Sequence, residues 1–155
     1  MEFKNVLIVV RDLLRSVEFY QNHLGLNVEL DFGANVTLTG GICLQTRESW
    51  LEFVQKPEEL LRFGGNDAEL YFETEDFDGF LTGLDGVELV TPVMEHRWGQ
   101  RVVRLYDPDR HIVEVAEPLQ VVCRRFLEGG LTHEGIARRM EVPLELVEQW
   151  VPGTD

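Results

Sequence analysis

The stretch NVLIVVRDLLRSVEFYQNHLGL, residues 5–26, decides the fold. Its first part, 6–10, is a short apolar run rich in β-branched residues and bounded by polar ones, which is the composition of a strand. Arg11 and Asp12 close that run. Beyond them Leu13, Leu14, Val17, Tyr20, Gln21 and Leu24 recur at the spacing of one helix face, and Gly25 supplies a stop. An apolar run this short is neither a membrane span nor a secretory signal core, so a cytoplasmic protein is expected.

Three strand candidates follow the helix, at 27–32, 36–39 and 42–45, the last two joined by Gly40-Gly41. A Gly-Gly pair between β-rich runs marks a tight hairpin, because both positions tolerate positive φ. The order is therefore β-α-β-β-β. A connector covers 47–67, with 50–61 read as a helix despite Pro57 and Gly64-Gly65 as its end. Then the order repeats. Strand 69–74 leads to a helix over 77–84 begun near Asp76, a strand at 87–90, and a hairpin of 101–106 and 112–115 turning on Asp107-Pro108-Asp109-Arg110. Repetition of an architecture predicts an α+β fold of two tandem βαβββ modules, about 1–46 and 67–117, forming a curled mixed sheet. From Pro118 the composition turns to helix formers, giving helices at 119–127, 132–140 (Thr132 as N-cap) and 144–151, a C-terminal extension over 118–155.

Composition sets outer bounds. A chain of 155 residues, 44% hydrophobic and 27% charged, is long enough for one domain with a real core. Its two cysteines, Cys43 and Cys123, lie far apart and form no CxxC spacing, which argues for a reducing compartment and against a structural zinc site. The net charge of −14 repels nucleic acid and anionic membranes and slightly favours a neutral or cationic ligand.

Three segments, NVLIVVRDLLRSVEFYQNHLGL, ELYFETEDFDGF and RWGQRVVRLYDPDRHIVEV, resemble the vicinal oxygen chelate superfamily, the glyoxalase, bleomycin-resistance and dioxygenase proteins. The likeness spans roughly 3–117. It implies a curled sheet whose concave face is a small-molecule site, but it does not choose among lyases, isomerases, dioxygenases and metal-free binders. Metal-using relatives place up to four ligands on strands of that face. At the matching positions this chain has Asn5, Gln45, Glu69 and Glu114, with no histidine. Strand alternation puts Cys43 and Gln45 on one face and Ile42 and Leu44 on the other, and puts Tyr71 beside Glu69. By the resemblance, Glu69, Glu114 and Gln45 are the metal-ligand candidates and Asn5 a ligand-binding position. An all-oxygen set favours Mg²⁺ or Mn²⁺ over Zn²⁺ or Ni²⁺. The opposing reading is that Glu114 pairs with an arginine, Arg101 or Arg104, and that no metal is bound.

The stretch 95–101, EHRWGQR, gathers polar, aromatic and cationic groups before a strand. It suggests His96 as an acid or base, Trp98 as an apolar wall and Arg101 as an anion clamp. Against this stands a solvated loop with Trp98 tucked onto the core. His23, His111 and His133 read as structural or exposed, and Cys43 as a small buried thiol. The segment LTHEGIARRMEVPLELVEQW has the cadence of a helix-turn-helix. Its second helix carries Glu145 and Glu148 without lysine or arginine, which disfavours phosphate contact, so the extension is expected to pack on the body or on a second subunit.

The expected function is a glyoxalase-like lyase or isomerase acting through a divalent metal, with Glu69 or Glu114 moving a proton. The alternative is a metal-free sequestering protein of bleomycin-resistance type. A third is a ligand sensor whose C-terminal helices contact a partner. In each case the partner is a small molecule, without nucleic acid or membrane, and the assembly a homodimer.

Overall fold

The computed structural model describes residues 1–152, so the last three positions of the predicted extension lie outside the described residues. The chain divides into two compact units. The first comprises Met1–Ala68 and the short segment Tyr106–Ile112; the second comprises Glu69–Leu105 and the chain from Val113 onward.

In the first unit, strand β1 (Val6–Val10) leads into helix α1 (Leu13–Leu24). Asp12 caps the helix, accepting from the Arg15 N–H, and Gly25 ends it at a φ of 67°. Strands β2 (Val28–Asp31), β3 (Asn35–Leu38) and β4 (Ile42–Thr46) complete a sheet of order β1-β4-β3-β2. β1 runs parallel to β4, and the other pairs are antiparallel. The predicted Gly40-Gly41 turn is present, with φ of 84° and 80°. Val10, Tyr20, Leu38 and Leu44, all fully buried, form the centre of this core. That is the expected set for a sheet face covered by an amphipathic helix.

The connector departs from expectation. Helix α2 is shorter and earlier (Arg47–Val54), and a separate 3₁₀ turn covers Glu58–Leu60. Gln55 adopts a left-handed φ of 50°, and Pro57, which restricts the residue before it and lacks an N–H, keeps the two pieces apart.

The second unit repeats the order. It holds strand β5 (Glu69–Glu73), helix α3 (Phe77–Thr82), and strands β6 (Leu89–Glu95), β7 (Arg101–Tyr106) and β8 (Ile112–Ala116), with sheet order β5-β8-β7-β6. Strand β6 starts later and runs further than the predicted 87–90. Gly86, at a φ of 77°, still belongs to the turn, while Pro92 is tolerated because β6 is an edge strand with two register shifts against β7. Val103, Leu105, Val113, Val115 and Phe77 are buried. Helices α4 (Leu119–Glu128), α5 (His133–Met140) and α6 (Leu144–Trp150) bury Val122, Cys123, Ile136, Met140, Val147 and Val151 together as a second core. No helix among the described residues is long and apolar enough to cross a membrane.

Candidate functional site

The second sheet carries a polar face built by strand alternation. Glu69, Tyr71 and Glu73 point to the exposed side of β5, while Leu70 and Phe72 point to the other. Arg104 of β7 joins two of the predicted metal ligands. Its Nε donates to Glu69 Oε2 at 2.9 Å, and its Nη2 abuts Glu114 Oε2. Glu114 is buried, only 4% exposed. Burial pushes its carboxyl above the ordinary glutamate range; Arg104 opposes the shift and Glu69 adds to it.

Tyr71 stands half exposed beside this pair. Its hydroxyl donates to Glu73 Oε1 at 2.8 Å and accepts from Gln100 Nε2 at 3.1 Å. Partial burial and the Glu73 carboxylate push the phenol up to about 12, so Tyr71 is a neutral donor at physiological pH. The Gln100 amide is itself fixed. Its Nε2 also donates to the Glu117 carbonyl at 2.8 Å, and its Oε1 accepts from Trp98 Nε1 at 3.0 Å. Trp98 stacks on His96 with ring centroids 4.3 Å apart and packs against the helical core. Within 95–101 the sequence points to His96, Trp98 and Arg101 and not to Gln100. Its signal was its place between an aromatic residue and the first residue of a buried strand, where an amide must find partners.

Arg101 and Arg104 have different partners. Arg101 joins a different cluster: its guanidinium donates to Asp78 Oδ1 at 2.8 Å and to Glu117 Oε1 at 2.9 Å. Arg125 Nη2 donates to Glu117 Oε2 at 3.0 Å. Glu117 is 1% exposed; burial would raise its pKa, but the Arg101 hydrogen bonds and the Arg125 charge hold it below the ordinary range. These residues border a polar cavity of about 250 Å³ with Asp78 and Arg124. Arg101 is thus committed to ion pairs rather than left open as an anion clamp.

In the first unit, Asn5 is exposed just ahead of β1. Gln45 is 2% exposed and fully engaged: Oε1 accepts from Asn35 Nδ2 at 2.7 Å, and Nε2 donates to the Ser49 hydroxyl. Cys43 is buried beside Thr37 Oγ1 at 3.4 Å, the small buried thiol expected.

The Asp107-Pro108-Asp109 turn belongs to this first unit as a staple. Asp107 Oδ2 accepts from the Tyr20 hydroxyl at 3.0 Å and from His111 Nδ1 at 2.8 Å. Its Oδ1 accepts the backbone N–H of Asp109 at 2.9 Å and of His111 at 2.8 Å. Asp109 takes the Arg11 backbone N–H at 3.0 Å and guanidinium at 2.9 Å. His111 is therefore structural, as expected.

The two carboxylates of this face are already neutralised in part by Arg104, whose guanidinium supplies there the positive charge that a divalent ion would otherwise bring.

Two four-stranded mixed sheets of repeated order are the glyoxalase/bleomycin-resistance fold, and with the family match they place the chain in the vicinal oxygen chelate class. Within it, the chain belongs to the glyoxalase-like domain family, whose model matches residues 3–120. It is 28% identical over 128 residues to the uncharacterized protein YraH of Bacillus subtilis (strain 168), covering 77% of this chain and all of that one. It resembles the crystal structure of a protein of unknown function from Agrobacterium tumefaciens str. C58, at 37% identity and a TM-score of 0.69, over 76% of this chain and 94% of that one. A glyoxalase/bleomycin resistance protein/dioxygenase family enzyme from Burkholderia phytofirmans PsJN shares the fold at 20% identity and a TM-score of 0.64, over 74% of this chain and 96% of that one.

Proposed function

We propose that the protein binds a small organic ligand on the Glu69–Tyr71–Glu114 face without a metal ion. Arg104 carries this reading. A guanidinium that hydrogen-bonds Glu69 and contacts Glu114 supplies the positive charge those carboxylates would otherwise seek in a cation. Tyr71 offers an exposed aromatic surface and a polar tip, and Glu69 and Glu73 flank it, a combination suited to a neutral or cationic ligand. The chain's charge of −14 acts in the same direction. The first experiment is metal analysis of protein incubated with Mn²⁺, Ni²⁺, Zn²⁺ or Mg²⁺ and then desalted. Wild-type protein is expected to retain none, and Arg104→Ala, with two carboxylates left uncompensated, to gain divalent affinity that Arg104→Ala/Glu69→Ala loses. One ion per wild-type chain, lost in Glu69→Ala and Glu114→Ala, would replace this reading with the metal-dependent lyase or isomerase.

A second reading rests on Glu114. A buried carboxyl with a raised pKa is suited to moving a proton, so the site is also consistent with proton-transfer chemistry on a bound substrate, with Glu114 as the group that carries it. Loss of turnover in Glu114→Gln with ligand affinity retained would separate that enzyme from a sequestering protein. We place the protein in the cytoplasm and as a homodimer, the latter supported by exposed Val28, Leu30 and Phe32 on and beside edge strand β2; a monomer in sedimentation would refute the dimer.

A further inference from the structure

Helices α5 and α6 and most of α4 lie beyond residue 120, where the family match ends, yet α4 and the end of α5 meet the turn that carries Gln100. That turn closes through His96 N–H to Gln100 O at 2.8 Å and Gly99 N–H to His96 O at 2.7 Å. Gly99 sits at a φ of +91°, and a β-carbon there would run into the Phe126 ring of α4. Arg125, the residue before Phe126, donates from Nη2 to the Gly99 carbonyl at 2.6 Å. Trp98 is packed into the helical core, and Arg97 pairs with Glu141 at 2.6 Å. Four successive residues of this part of the chain, Arg97 to Gln100, are thus held from one side by the extension or by a side chain that the extension holds.

We infer that the C-terminal extension is a clamp that sets the position of Tyr71 through Gln100. The linkage is explicit: Phe126 and Arg125 hold Gly99, the helical core packs Trp98, Trp98 Nε1 holds Gln100 Oε1, and Gln100 Nε2 holds the Tyr71 hydroxyl. Phe126 and Arg125 are positioning residues: Phe126 acts through the turn, and Arg125 through the turn and through Glu117, whose carbonyl also accepts from Gln100 Nε2. A helical tail serving solely as extra core would have no need of a charge-assisted bond to a turn carbonyl or of a close approach that only glycine permits. The proposal rests on the reading above only in taking Tyr71 to face the ligand.

Its test needs no ligand. NMR of the full chain would follow the Gln100 side-chain amide protons and the Tyr71 Cζ resonance, assigned with Tyr71→Phe. In Phe126→Ala and in Arg125→Gln, exchange of the Gln100 amide should quicken by at least about tenfold and the Tyr71 signal should move. Phe126→Leu should recover most of both. Val10→Ala, fully buried in the core of the first unit, controls for general loss of stability and should leave both unchanged. Should Phe126→Ala not fold, Arg125→Gln decides alone. A protected Gln100 amide in Arg125→Gln, or an equal loss in Val10→Ala, would overturn the clamp. Either result stands apart from whether the site binds metal.

Discussion

Asp107 and Glu114 sit on one hairpin, and both are buried, but their surroundings differ in kind. Asp107 receives four hydrogen bonds, two from backbone N–H groups and two from the side chains of Tyr20 and His111. Glu114 leans on one arginine that it shares with Glu69, and burial dominates its titration. A carboxylate wrapped in donors is a structural element, because its ionised form is already solvated by the protein. One left short of donors is held in a less stable charge state and is available for chemistry or binding. The hairpin therefore carries a structural anion at its tip and, on its second strand, the carboxyl on which the proposed site rests.

The largest test of this contrast is Asp107→Ala. It strands the Tyr20 hydroxyl, the His111 ring and two backbone donors in a buried place, so a loss of about 3–5 kcal/mol is expected. Urea unfolding would measure it, and a cost below about 1 kcal/mol would remove the distinction between tip and strand. Next comes Tyr20→Phe. The ring keeps its place under the sheet while Asp107 loses one of four donors, for a cost of about 1.5–3 kcal/mol. The same geometry explains why burial and Asp107 hold the Tyr20 phenol well above its ordinary pKa.

That contrast bears on what the sequence could reveal. The strand-helix opening, the Gly40-Gly41 hairpin and the repeated order were legible because periodicity and turn chemistry are local. The C-terminal helices were legible for the same reason, down to Thr132 as the cap of α5. The connector and β6 were misjudged where proline acts through its context, ending one helix yet tolerated on an edge strand. Among the site residues, alternation correctly placed Tyr71 beside Glu69. Charge partners are another matter. Nothing local decides that Arg104 turns to Glu69 and Glu114 while Arg101 turns to Asp78 and Glu117; the strand's alternation separates the two arginines only once its faces are known. Gln100 carries only the signal of an amide ahead of a buried strand, because its three partners come from a neighbouring residue, another strand and the end of the sheet.

The smallest effect is the most discriminating. Glu114 has its folded pKa raised, chiefly by burial, so its ionisation works against the fold. The stability associated with the protonated form is present in full below the unfolded pKa and is lost as pH rises through the folded one. Glutamine keeps the shape and cannot ionise, while Arg104 retains Glu69 as its counter-ion. Glu114→Gln should therefore change stability at neutral pH by less than about 1 kcal/mol, and relative to wild type the variant should gain as pH climbs through and above the ordinary glutamate range. Paired urea titrations across that range read the sign directly. If the variant instead loses ground with rising pH, the Arg104 contact outweighs burial, and Glu114 belongs with Asp107 as a structural anion. If it gains, the second strand of the hairpin holds a carboxyl that the fold alone would prefer uncharged, which leaves its retention to be explained by what binds there.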